Sequence, residues 1–199
     1  MTDCVACPAP FAQAVWLVFA IGTAGVIHVL WLKSSFSRRF RQPLDGGLTI
    51  RGRRLFGENK MLRGLMVMPP ATAFTFALLG GLRDWLPSSV AAGIWDLSVV
   101  NYAYLGFVCG LAFMLAELPN SFLKRQLDVL PGEVPNQYAL RLFVLALDRL
   151  DSVVGVLLVL TMLMPVAAAT WLWTFLLGPA AHAVFSFWLY RVGEKARAL

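Results

Sequence analysis

The chain has 199 residues, 59% of them hydrophobic and only 14% charged, with a mean hydropathy of +0.70 and a formal net charge of +6. Soluble domains carry about a quarter charged residues, so the composition excludes an ordinary soluble protein and points to an all-α, polytopic integral membrane protein in a single domain over 1–199. The positive charge does not call for nucleic acid, because its placement along the chain follows membrane topology.

Cys4 and Cys7 form a lone CxxC at the N-terminus. Two cysteines with no nearby histidine do not close a zinc site, so a disulfide or a plain tail is expected there. A membrane helix needs about 20 mainly apolar residues, and five such runs are present: Phe11–Leu32, Leu65–Leu82, Ser98–Leu118, Tyr138–Leu163 and Pro165–Tyr190. The first lacks a basic segment before it and has a dense basic cluster after it, the pattern of a retained span and not of a cleaved signal. His28 and His182 fall inside spans, where a histidine more often bonds across helices than reacts. Cys109 is expected to pack as a small hydrophobe. Trp85, Trp95 and Trp171 are expected as headgroup-level anchors, and the link from Arg83 to Asp96 as an interfacial segment. Met164-Pro165 marks the turn between the last two spans.

The cations set the expected orientation. Nine of the 17 Lys and Arg lie in 33–64, four more are Lys124, Arg125, Arg141 and Arg149, and three lie in the C-terminal tail. Only Arg83 falls in the link between the second and third spans. The positive-inside rule then places the loops 33–64 and 119–137 in the cytoplasm, with the N-terminus outside and the C-terminus inside. The expected location is the cytoplasmic (inner) membrane, multi-pass, with the active site on the cytoplasmic side.

Three constellations carry chemistry. At the end of the third span, Glu117, Ser121 and Lys124 fall at i, i+4 and i+7, on one helical face. Arg125 follows, and Pro119 is expected to kink or break the helix. A carboxylate, a hydroxyl and an ammonium would then face a polar pocket, and Pro131-Gly132-Glu133 and Pro135-Asn136 read as turns. The plainer alternative is a Lys-Arg pair snorkelling at a helix end. In the fourth span, Asp148 and Asp151 lie at i and i+3 inside an apolar run. Ionisable side chains at membrane depth are costly and mark function by default, and paired carboxylates suit Mg²⁺ shared with substrate phosphates; pairing with Arg141 or Arg149 is the alternative. Before the second span, Gly57-Glu58-Asn59-Lys60-Met61-Leu62-Arg63-Gly64 offers Asn59, Lys60, Arg63 and backbone N–H groups to phosphate.

Taken in order, G-x-N-K-x-x-R-G, an acid before S-F-x-K-R and P-G-E, and D-x-x-D resemble the CDP-archaeol synthase family, membrane cytidylyltransferases related to CDP-diacylglycerol synthases. The resemblance covers about Gly57 to Gly155. It departs from the family pattern at Glu117, where Asp is usual, at Met61-Leu62, where T-W is usual, at Gln126, where a further basic residue is usual, and at Arg149. It implies transfer of CMP from CTP to a lipid phosphate drawn from the bilayer, with pyrophosphate released and Mg²⁺ as cofactor. Carried over by position, Glu117, Asp148 and Asp151 would face the metal. Lys124, Arg125 and Ser121 would act on the phosphates, and Asn59, Lys60 and Arg63 would bind substrate. Three alternatives stay open from the residues: a non-catalytic protein that conducts or senses a cation or lipid, a phosphotransferase consuming a CDP-lipid (although no D-G-x-x-A-R is present), and a degenerate homologue. Oligomeric state is not legible.

Overall fold

The computed structural model describes residues 7–129 and 138–191. The expected turns at Pro131-Gly132-Glu133 and Pro135-Asn136, together with Cys4, Lys195 and Arg197, lie outside these residues. The chain is mostly helical: α1 (Pro10–Lys33), α2 (Leu62–Gly81), a short α3 (Ser88–Ala91), α4 (Val99–Gln126), α5 (Tyr138–Leu163) and α6 (Ala168–Arg191). A small hairpin of β1 (Thr49–Ile50) and β2 (Arg53–Arg54) lies between α1 and α2. Among the described residues four helices, α1, α2, α4 and α6, are long and apolar enough to cross a membrane. Helix α5 matches them in length at 26 residues but carries Asp148, Arg149 and Asp151 near its middle.

The five long helices pack in a closed ring, α1 on α2, α2 on α4, α4 on α5, α5 on α6 and α6 back on α1. The tightest crossings use glycine. A Cβ at Gly110 of α4 would stand 2.7 Å from Pro69 Cα and 2.8 Å from the Met68 carbonyl oxygen of α2, and one at Gly106 would stand 2.5 Å from the Thr72 carbonyl oxygen. Small residues let membrane helices approach this closely, and dispersion between the backbones then replaces the hydrophobic drive that lipid removes.

The apolar core sits at one end of the ring. Trp16, Phe76, Trp95, Tyr102, Leu157 and Leu160 are all buried there, with Trp16 edge-on to Phe76 at 4.7 Å between centroids. Trp95 is therefore not a headgroup anchor. Its ring is 1% exposed, its Nε1 donates to the Pro165 carbonyl at 3.3 Å, and its own carbonyl accepts from the Tyr102 hydroxyl at 2.5 Å. Of the link from Arg83 to Asp96, only Gly93, Ile94 and Trp95 turn into the bundle, where Ile94 and Trp95 join the core, while Asp84, Trp85 and residues 87–90 stay exposed. Trp85, by contrast, is 86% exposed. Cys109 is buried as expected.

Pro119 does not end the third helix. Helix α4 runs eight residues past Leu118 to Gln126 with Pro119 inside it. A proline removes one backbone hydrogen bond, yet the helix continues through the next turn, where Asn120 and Ser121 are buried. Two residues beyond Gln126, Asp128 takes a left-handed φ of 59° as the helix closes. Arg53 of the hairpin covers this end, donating to the Gln126 carbonyl at 2.8 Å and pairing with Asp128. That contact satisfies a carbonyl the helix terminus leaves open.

Candidate active site

At the other end of the ring the interior is polar. Helix α4 presents Glu117, Asn120, Ser121, Lys124 and Arg125 to a cavity of about 300 Å³. Helix α5 adds Asp148, Arg149 and Asp151, and α6 adds His182. The loop before α2 closes one side with Phe56, Asn59 and Lys60. Eight of the nine residues singled out in the sequence therefore share one cavity. Arg63 is the exception: it sits in the first turn of α2 and does not line the cavity.

The carboxylates are bound into one network. Lys60 pairs with Glu117 Oε2, and Ser152 Oγ donates to Glu117 Oε1 at 3.2 Å. Asp151 Oδ1 accepts from the Ser152 backbone N–H at 2.6 Å and shares the single Ser152 hydroxyl proton with Glu117, at 3.1 Å from Ser152 Oγ. Asn120 Nδ2 donates to both aspartates, at 2.6 Å to Asp148 Oδ1 and 2.9 Å to Asp151 Oδ2, and Lys124 pairs with Asp148. Asn120 and Ser152 are the residues that the sequence reading missed. Asn120 carried a signal, since it lies at i+3 from Glu117 and i−4 from Lys124 on the face already singled out. Ser152 carried none beyond its place next to Asp151.

Two features mark this cavity as built for charged, oxygen-rich ligands. The Nε and Nη1 of Arg125 are buried without a hydrogen-bond partner among the described residues, and so is Asn120 Oδ1. Unmet polar groups of this kind are costly; an anion would satisfy the first and a cation the second. The two glycine N–H groups of the Gly57–Gly64 loop, by contrast, are not free for phosphate. The Gly57 N–H donates to Asp45 Oδ2 at 3.2 Å, and the Gly64 N–H to the Met61 carbonyl at 3.1 Å. Both donors are consumed by the fold, and Asn59 and Lys60 are the residues of that loop that line the cavity.

An apolar groove of about 1040 Å³ opens from the same cavity and runs between α1 and α6. Near one end the two helices touch, through an edge-on contact of Phe11 with Trp173 at 5.0 Å and the hydrogen bond from Thr170 Oγ1 to Gln13 Oε1 at 2.7 Å. Beyond these contacts the groove is walled by residues such as Phe19, Val26, Leu177 and Phe185, and Gly22 and Gly25 have no side-chain atoms to fill it. Glu117, Asp148, Arg149 and His182 line groove and cavity alike.

A family model described as CarS-like, CDP-archaeol synthase, matches residues 34–197. The chain belongs to the CDP-archaeol synthase family. It is thus a membrane enzyme of the cytidylyltransferase type. It is 30% identical to the CDP-archaeol synthase of Thermofilum pendens over 174 residues, 80% of this chain and 70% of that protein. It is 32% identical to the CDP-archaeol synthase of Saccharolobus solfataricus over 122 residues, 61% of this chain and 59% of that protein. A solved structure reported as an intramembrane enzyme for archaeal membrane lipids biosynthesis shares the fold, with a TM-score of 0.60 over 88% of this chain and 93% of that one at 20% identity. The matched family region contains every residue of the cavity.

Proposed function

We propose that this protein transfers CMP from CTP to the phosphate of a membrane lipid, giving a CDP-lipid and pyrophosphate. The observation that carries this is the joining of a charged cavity to an apolar groove through Glu117, Asp148, Arg149 and His182. A lipid phosphate has one polar and one apolar end, and no soluble nucleotide alone needs the groove. In this reading α1, α2, α4, α5 and α6 all span the cytoplasmic membrane, with the N-terminus outside. The loop between α1 and α2 and the Gln126 end of α4 then face the cytoplasm, where CTP is available. The excess of cations on that side supports the orientation.

Lys60, Lys124 and Arg125 bind the triphosphate, and Ser121 donates its hydroxyl to a phosphate oxygen. The groove holds the lipid tails so that a phosphomonoester oxygen meets the α-phosphorus of CTP. A bond forms from that oxygen to phosphorus, the bond to the β-phosphate oxygen breaks, and pyrophosphate leaves. Such a transfer relies on positioning and charge stabilisation more than on covalent help from the protein.

The donor set fits Mg²⁺. Asp148 and Asp151 are hard oxygen ligands held to one amide, with Glu117 beside them and Asn120 Oδ1 unmatched. Mg²⁺ is usually held by one or two carboxylates together with water and substrate phosphates, so these groups would not have to cage the ion by themselves. Bound there with the nucleotide, Mg²⁺ would neutralise charge building on the leaving pyrophosphate.

The deciding experiment is pyrophosphate release by the purified protein in liposomes with Mg²⁺, each of the four nucleoside triphosphates, and either phosphatidic acid or its isoprenoid ether analogue. Release with CTP and the ether lipid is expected. A folded protein that neither releases pyrophosphate nor binds CTP with any pairing would defeat the proposal. The groove makes its own prediction. Gly25→Phe places a ring in open space against the groove wall, so KM for the lipid should rise about tenfold, about 1.4 kcal/mol, while KM for CTP stays within twofold. An unchanged lipid KM would remove the groove from the tail-binding role.

A further inference from the structure

Lys60 and Asn59 reach the cavity from a loop with little regular structure, yet Lys60 is held against Glu117. Asp45 accounts for this. Its carboxylate is fully buried and accepts four hydrogen bonds. Oδ1 takes the Gly47 N–H at 3.0 Å and Arg54 Nη2 at 2.5 Å. Oδ2 takes the N–H groups of Phe56 and Gly57, both at 3.2 Å. Burial by itself would raise the pKa of Asp45, but the Arg54 and backbone bonds outweigh it and hold the carboxyl down at about 2, so it is an anion throughout the physiological range.

The contacts lead directly to the cavity. Residues 42–44 run antiparallel to 60–62, with the Leu44 N–H donating to the Lys60 carbonyl and the Leu62 N–H to the Gln42 carbonyl, both at 2.8 Å. Gly57 turns the chain with φ +86°, a conformation that disfavours any side chain. Asp45 thus grips the turn three residues before Lys60, while the neighbouring strand pairing fixes the height of Lys60 itself. Arg53, within the loop that Asp45 closes, ties the assembly to the end of α4, the helix that carries Glu117.

We propose that Asp45 is a positioning residue, acting through the backbone of Phe56 and Gly57 to hold Lys60 and Asn59 at the cavity and so to set the affinity for the triphosphate. The affinity part rests on the cytidylyltransferase reading; the positioning part does not, and the two are tested separately. Asp45→Asn keeps the size of the side chain but turns one acceptor into a donor among four donors.

In the folded variant, acetylation of Lys60 by acetic anhydride, read by peptide mass spectrometry, should rise at least fivefold while that of Lys124 stays within twofold. The KM for CTP should rise about tenfold with kcat within threefold. A purely structural residue would lower the amount of active protein and leave that split and the Lys60 selectivity unmoved. Unchanged Lys60 acetylation, or a parallel rise at Lys60 and Lys124, would overturn the positioning role. Selective Lys60 release with an unchanged KM would overturn the affinity role. If the wild-type protein shows no turnover, the cytidylyltransferase reading falls and the acetylation result still decides the positioning role. If Asp45→Asn does not yield folded protein, Arg54→Gln removes one of the four donors from a more exposed position and takes the same tests.

Discussion

Asp148→Asn and Asp151→Asn should each lower turnover at least about a thousandfold, a loss of about 4 kcal/mol in transition-state stabilisation, without unfolding the protein. Asparagine keeps the shape of each side chain and removes its charge. At Asp151 it also sets an amide among three donors, the Asn120 amide, the Ser152 N–H and the Ser152 hydroxyl. At Asp148 it removes the counter-charge of Lys124. Both changes would weaken the proposed cation binding far more than they disturb packing, because neither carboxylate belongs to the apolar core. The check is pyrophosphate release beside thermal unfolding in the same detergent. Either variant with turnover within tenfold of wild type, in folded form, would show that its carboxylate is not needed for the chemistry.

The largest effect on stability is expected at Gly110. Gly110→Leu forces atoms into a crossing where even a Cβ meets Pro69 Cα at 2.7 Å and the Met68 carbonyl at 2.8 Å. Pro69 is locked in a helix and the contact is backbone, so neither side yields cheaply. Overpacking commonly costs about 1–3 kcal/mol, and the rigid partners here put Gly110→Leu at or above the upper value. Gly22→Ala on α1 is the control. Nothing lies within 4 Å of its Cβ position, and alanine favours a helix by about 1 kcal/mol over glycine, so its melting temperature should hold or rise. Equal melting temperatures for Gly110→Leu and wild type would mean that the α2–α4 crossing is looser than described.

Much of the bundle was legible because length and hydropathy report apolar runs directly. The ends of α1 and α5 fall within a residue of the expected spans. The end of α4 does not, since hydropathy drops after Leu118 while the helix continues; the sequence marks where the chain turns polar, and helix geometry follows a different rule. Trp95 misled for a related reason. Tryptophan favours membrane interfaces on average, but here a carbonyl acceptor on Pro165 and the edge of Trp16 were available in the core. The carboxylates and lysines of the cavity were readable through helical spacing. The groove was not, because it forms between α1 and α6, helices far apart in the chain. Asp45 was equally hidden, as its role depends on backbone N–H groups whose direction only the folded loop fixes.

The overrun of α4 has a kinetic consequence. Its 28 residues make a rod of about 42 Å at the usual rise, against a hydrocarbon layer of about 30 Å. In the proposed orientation, Glu117 therefore stands near the inner border of that layer, level with the phosphates of the surrounding lipids. A lipid substrate reaching it stays in the leaflet and arrives by two-dimensional diffusion. The quantity that saturates the enzyme is then the mole fraction of lipid phosphate in the surface, so diluting the leaflet with inert lipid slows turnover even when the amount of substrate per millilitre is held constant.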